Sequence, residues 1–361
     1  MIYVSEGLLY ICFAILTGAL LLRLVPERFK PTVHVPNGLL LACAAAIPVL
    51  SFVPIHQLAK LFSEQFELSY SEMLRSILID VNTGKAWIWT VIGSAGLLVL
   101  LGVKVFRNDR HMPKIALFVT LLLIVWLGYA SHASSLSPTK GWILHTIHFL
   151  GFSVWIGILF AAGWFAKDDH NWTAFLKWFS PLAIAAVLVT LAAGFALMTF
   201  TTPDYVKSWI LPYGQALLMK HALILPLLVF AYTNGFLYKR MASSDESFRP
   251  GAWLKAESAV ALLVLAATAV LGQQSPPHDV QETLQSVSPS PFFTTIFQGP
   301  YSPDISLTFG LTGSGILLFA AALVMAAGIV LMYRAKRPSY ALAMGLLTAV
   351  FAYLGAMFSM A

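Results

Sequence analysis

Residues 141–165 read GWILHTIHFLGFSVWIGILFAAGWF, a run without a single Asp, Glu, Lys or Arg. As a helix rising about 1.5 Å per residue it extends roughly 37 Å. That exceeds the hydrocarbon core of a bilayer, about 30 Å, which about 20 apolar residues cross. The run therefore reads as a membrane span, and its ionisable side chains are two histidines near its start, His145 and His148. The same pattern recurs along the chain. The spacing predicts spans over 6–24, 37–57, 84–105, 114–132, 141–165, 178–201, 214–237, 253–272, 309–333 and 339–360. The chain is 58% hydrophobic and 11% charged, against about 45–50% and about 25% in soluble domains. Lipid must cover the excess apolar surface, so the expected fold is an all-α polytopic transmembrane bundle of about ten spans.

Residues 1–112 form an N-terminal three-span segment, 113–277 the core helices, and 278–361 a long loop with the last two spans. Ser69–Lys85 is amphipathic and suits a helix lying at the interface. The first run opens with Glu6 and carries Arg23 at its far end, the wrong polarity for a cleaved signal peptide, so it reads as a retained span.

Orientation follows from the basic residues. Sixteen of the 22 Lys and Arg fall at one set of alternate loops and span ends, for example Arg23, Arg28 and Lys30, or Arg334, Lys336 and Arg337. Five lie on the opposite set (Lys60, Arg75, Lys85, Lys140 and Lys207), and Lys220 lies within a span. The positive-inside rule then puts both termini outside the cytoplasm and makes Gln273–Ser306 an extracytoplasmic loop. The basic residues form no stripe, so nucleic acid is not a partner. The longest cytoplasmic connection, about Lys239 to Ala252, leaves no room for a nucleotide-binding domain, and no Walker motif is present. No catalytic motif marks an enzyme. Cys12 and Cys43 both lie in apolar runs without a CxxC, which argues against a disulfide framework.

Ionisable groups in hydrocarbon are expensive and mark functional sites. With this topology His34, His111 and His170 are solvated cytoplasmic loop residues. His56, His132, His145, His148, His221 and His278 fall in or beyond the outer leaflet. By the helical rise, His145 and His148 lie roughly 6 and 10 Å below Gly141, and His221 roughly 10 Å below Gly214. His132 is expected at the outer end of its span. His145 and His148 are three apart and share a helix face with Phe152 and Trp155. Imidazole suits copper, zinc and iron, while thioether selects Cu(I). His132, His145, His148 and His221, with Met219, are thus candidate ligands. Met357 and Met360 are candidate intake residues near the outer end of the last span. Interhelical hydrogen bonding for the histidines and ordinary packing for the methionines are the alternatives. Lys220 and Glu257 are candidate relay residues; their depths differ by roughly 13 Å, which disfavours a direct pair, and Glu257 serves equally as a structural hydrogen-bonding group.

Between Tyr129 and Pro277 the chain resembles the copper resistance protein D family (CopD). The matching pieces are Ser131-His132-Ala133, then His145-Thr146-Ile147-His148 leading to Trp155-Ile156-Gly157. Tyr213-Gly214-Gln215-Ala216-Leu217-Leu218-Met219-Lys220 follows, then Glu257-Ser258-Ala259, Gly272 and the pair Pro276-Pro277. The first three spans and the last two carry no specific match. The resemblance implies a multi-pass protein of the bacterial cytoplasmic membrane that moves copper, as Cu(I) or Cu(II), usually inward. It also implies an extracytoplasmic copper-binding protein as partner, besides the lipid bilayer. Two other readings stand beside it: a membrane b-type haemoprotein or metal reductase, with haem b held between histidines such as His148 and His221, and a copper-delivery factor for oxidase assembly. No histidine falls in the inner half of any span, which counts against transmembrane electron transfer through a second haem.

Overall fold

A computed structural model describes residues 1–107, 109–237, 250–297, 299 and 307–360. Among them are ten helices long and apolar enough to cross a membrane, one for each expected span. The helices are α1 (Ile2–Leu24), α2 (Asn37–Phe66), α3 (Tyr70–Asp80), α4 (Asn82–Gly102), α5 (Lys104–Arg107), α6 (Met112–Tyr129), α7 (His132–Leu136), α8 (Pro138–Phe165), α9 (Trp172–Thr201), α10 (Pro212–Tyr232), α11 (Pro250–Leu271), α12 (Val280–Leu284), α13 (Pro291–Ile296), α14 (Gly313–Arg334) and α15 (Pro338–Met357). Among the described residues there is no sheet, and two isolated β-bridges are the extended pairings. Side chains such as Leu188, Phe195, Leu317 and Leu323 are exposed apolar surface that only lipid can cover. The expected connection at Lys239–Ala252 is described only from Pro250 onward, and the Gln273–Ser306 loop only to residue 297 and at Gly299.

The chain divides into two compact units, Met1–Leu197 and Met198–Ala361. The segment expected over 113–277 is thus split between them.

In the first unit α1 is the central helix, packed on α2, α6 and α8. Leu9, Phe13, Leu16 and Leu20 are sealed from solvent and lipid. The close approach of α1 to α8 depends on two glycines. A Cβ on Gly18 would sit 2.0 Å from the Gly157 backbone, and one on Gly157 would sit 2.3 Å from the Ala14 carbonyl oxygen. Small residues at a crossing let two membrane helices approach to backbone contact, which is where their van der Waals attraction comes from. Tyr10 and Phe13 close around Phe149 above this crossing, with ring centroids 5.3 and 5.7 Å away.

The amphipathic stretch forms α3, started by a capping box in which Ser69 and Glu72 satisfy each other's backbone amides. It packs Ile77 against Ile55 and Ala59 of α2. The loop after α1 is tied to the end of α8 by the bridge Val33–Ala166, with His34 N–H donating to the Phe165 carbonyl and Lys167 N–H to that of Thr32. Lys30, 4% exposed, donates to the Leu22 carbonyl at 2.8 Å and pairs with Glu27 at 2.8 Å. A cation there answers the carbonyls left over at the C-terminus of α1.

In the second unit α10 packs on α11 and α15, and α14 pairs with α15. α10 carries Pro226 and ends in a π-helical turn, Thr233–Leu237. The end of α15 is tied back to the start of α14 by the Phe309–Met360 bridge and by the Thr312 hydroxyl donating to the Phe358 carbonyl.

Candidate metal centre

The first unit holds three of the expected ligands. His132 is not at the end of a span. α6 stops at Tyr129, and the Ser131 hydroxyl caps α7 by accepting from Ser134 N–H, so His132 opens this separate short helix and is exposed. Ser131 forces the break because its side chain offers the backbone a helix start. Gly141, at the beginning of α8, lies against the Ala133 carbonyl, where a Cβ would come within 1.8 Å, so α7 folds back onto the first turn of α8.

His145 and His148 are half-buried on α8. His148 is held firmly. Its Nδ1 is 2.8 Å from the Thr190 carbonyl of α9, and Gly194 one turn on leaves room for the ring, a Cβ there meeting Cε1 at 3.0 Å. A carbonyl only accepts, so Nδ1 carries the proton and the lone pair of the neutral ring is on Nε2. This is how a metal-binding imidazole is usually oriented, with one nitrogen fixed to a carbonyl and the other presented to the ion.

Glu6 belongs with these histidines by register. α1 and α8 run parallel, and both Gly18–Gly157 and Tyr10–Phe149 are offset by 139 residues. The same offset sets Glu6 level with His145. Glu6 is half-buried, accepts from the Tyr10 hydroxyl at 2.6 Å, and occupies the stripe through Tyr10, Ala14 and Gly18 that faces α8. In the sequence Glu6 bears only on the polarity of the first run, as an argument against a signal peptide. An acid inside an apolar run was the available signal, but nothing in the sequence sets α1 beside α8. Among the described residues, no three His, Cys, Asp or Glu side chains are gathered closely enough to hold a metal.

The second unit holds the others. His221 Nδ1 is 2.7 Å from the Tyr205 hydroxyl, and their rings meet edge to face at 5.4 Å. Burial pushes the Tyr205 phenol well above its ordinary range, so it remains a protonated donor at any physiological pH. Tyr205 stands in the connection before α10, and no sequence pattern links it to His221. Met219 and Lys220 are half-buried neighbours on α10. Met357 (1% exposed) and Met360 (7%) are core residues, packed with Trp209, Leu218 and Phe293. The Met357 sulfur accepts from Gln215 Nε2 at 3.3 Å, and Gln215 also accepts from Tyr353 and donates to the Trp209 carbonyl.

Glu257, 2% exposed, accepts from Asn234 Nδ2 at 2.7 Å, and Asn234 also reaches the Trp253 carbonyl. Asn234 follows Lys220 by fourteen residues, about 21 Å along the helix. Glu257 is thus bound at the far end of α10 from Lys220, away from any direct pair.

This fold defines a polytopic all-α membrane protein with ionisable side chains inside its spans. Two family models match the chain: copper resistance protein D over residues 173–271, and the copper resistance protein D-like N-terminal domain over 1–142. The chain belongs to the copper resistance protein D family, and it is a multi-pass protein of the bacterial cytoplasmic membrane. The N-terminal match covers the three spans in which no resemblance is visible by motif. The chain is 28% identical over 239 residues to the copper transport protein CutJ of Bacillus subtilis, covering 62% of this chain and 41% of that protein. It is 24% identical over 221 residues to the inner membrane protein YebZ of Escherichia coli, covering 57% of this chain and 73% of that one. The match thus spans about two fifths of the length of CutJ. No solved structure matches the chain. Neither family description names an enzymatic activity.

Proposed function

We propose that the chain takes up copper through a histidine site on the extracytoplasmic side of the first unit. The observation that supports this reading is His148, whose Nδ1 is pinned to the Thr190 carbonyl so that the lone pair of the neutral ring falls on Nε2, the usual orientation of a metal-binding imidazole. His145 stands one turn earlier, with Glu6 level with it on α1, and His132 precedes both on exposed α7. An ion captured at His132 passes to His145 and His148, and the Glu6 carboxylate offsets its charge. Nitrogen and carboxylate donors suit copper. The second unit offers its own donors for the same cargo, His221 and Met219. Glu257 and Lys220 stand as candidate relay residues there. Met357 and Met360 become intake residues only if their apolar cluster opens. The charge bias of the loops supports the orientation, and the printed name of CutJ supports the cargo.

The test replaces His145 and His148 with Ala together, verifies membrane insertion, and measures cellular copper. Cells expressing the parent accumulate more copper than controls, and the double variant returns them to the control level. Equal uptake by parent and variant, or raised zinc with unchanged copper, overturns the proposal. Each ligand must be neutral to coordinate, so uptake falls with pH through the ordinary imidazole range, about 6.5.

A further inference from the structure

Cys12 and Cys43 are the two cysteines of the chain, 31 residues apart in sequence and on different spans. The first unit brings them together. α1 packs along α2, both thiols are buried and free of any disulfide, and the two side chains are neighbours across the helix contact. By the register of α1 on α8, His148 is level with Leu9. Cys12 lies three residues further along, about 4.5 Å deeper by the helical rise. The thiol pair is therefore the next set of metal-ligating side chains on α1 beyond the histidine level.

We propose that Cys12 and Cys43 form a two-coordinate sulfur site for a soft monovalent cation, Cu(I) or its analogue Ag(I). The inference rests on copper as the cargo, and it adds the oxidation state and the following station. Thiolate sulfur selects Cu(I) over harder ions, and two donors from facing helices suffice for that ion. Charge balance suits the location. The empty site holds two neutral thiols, which cost little in an apolar interior. Binding of Cu(I) with loss of one proton to water leaves one thiolate, one thiol and one cation, a neutral set. Loss of the second proton would bury a net negative charge, which hydrocarbon disfavours. Loading therefore releases a proton, and affinity rises with pH. The pair is sealed from water and exposes no hard oxygen donor of its own, so a hydrated divalent ion finds no replacement for its shell.

The experiment uses purified full-length protein in detergent, reduced and without oxygen, titrated with Cu(I) against a chromogenic Cu(I) chelator. The parent is expected to bind one more Cu(I) per chain than C12A/C43A, and X-ray absorption at the copper edge shows two sulfur neighbours in the parent. Equal stoichiometry in parent and double variant overturns the proposal. So does a copper shell of nitrogen and oxygen alone, or isolation of the parent with Cys12 and Cys43 already joined in a disulfide. Should the double variant fail to fold, the absorption spectrum of the parent and the single variants C12A and C43A decide; loss of one sulfur neighbour in each single variant is the expected result, and an unchanged shell overturns it. H145A/H148A separates the two ideas. It keeps the sulfur-bound ion while losing uptake if both hold, and keeps both ion and uptake if the histidine route fails and the thiol site stands.

Discussion

His148 shows how much a single side chain's role depends on its neighbours. A membrane histidine can be a ligand or an interhelical hydrogen-bonding group, and the sequence leaves both open. The Thr190 carbonyl and the gap at Gly194 settle one half of the question: Nδ1 ties α8 to α9, and the lone pair of the neutral ring falls on Nε2. Gly194 therefore matters through the imidazole. A Val at position 194 drives branched carbons into the ring, which lies 3.0 Å from the place of a single Cβ. Because the ring must leave its carbonyl partner, Gly194→Val is expected to lower copper affinity roughly 10- to 100-fold, the usual cost of disturbing a ligand's orienting partner. Equilibrium copper binding by purified protein is the measurement; unchanged affinity in a folded variant means that the site does not use His148. Met357 illustrates the opposite case. Its thioether reads as a soft ligand in sequence, yet Gln215 holds it inside an apolar cluster.

At the scale of elements, the connections carry more order than their polar composition suggests. The α1–α2 loop and the α8–α9 loop are joined by backbone pairing at Val33 and Ala166, and Asp168 reinforces the join. The hydrogen bond from the Thr32 side chain, with backbone N–H groups of Thr32 and His170 also directed at it, holds the Asp168 carboxyl below the usual carboxylate range. A depressed folded-state pKa means that this contribution is present above the unfolded value, about 3.9, and is lost as pH falls through the lower folded value. The amides of His34 and Lys167 should therefore lose protection below about pH 4, once rates are corrected for intrinsic exchange. In Asp168→Asn the protection should be flat with pH. Hydrogen–deuterium exchange across that range checks this, and a pH-independent parent would show that Asp168 is not the strap. Asp168 stands in a surface connection between α8 and α9, which keeps the effect local.

For the whole molecule, orientation decides what the histidines can meet. By the bias of the basic residues, Gln273–Ser306 is expected outside and Arg334–Pro338 in the cytoplasm. Single cysteines introduced by Ser286→Cys and Ala335→Cys, both at exposed positions and on a background lacking Cys12 and Cys43, give a direct reading in intact cells. An impermeant thiol reagent is expected to label the first and spare the second. The reverse pattern turns the histidines toward the cytoplasm and removes uptake as the reading.

The sequence by itself determined that the chain spans a membrane ten times and where each span runs, because lipid imposes a hydrophobic requirement on every consecutive stretch of about 20 residues. That constraint is local, so it is written locally. It also exposed His145 and His148, since an ionisable group in an apolar run is conspicuous, and it supplied the family through short ordered motifs such as HTIH and YGQALLMK. Only the tertiary structure decided what stands beside those residues. Glu6 comes level with His145 because glycines 139 residues apart let α1 and α8 touch. Tyr205 reaches His221, Asn234 holds Glu257, and Cys12 meets Cys43, each across a gap in sequence. α6 ends short of His132 because Ser131 caps a new helix. Partner choice between membrane helices rests on shape and small residues more than on hydrophobicity, which every span shares. A pattern of apolar residues therefore fixes the spans and leaves their neighbours to packing.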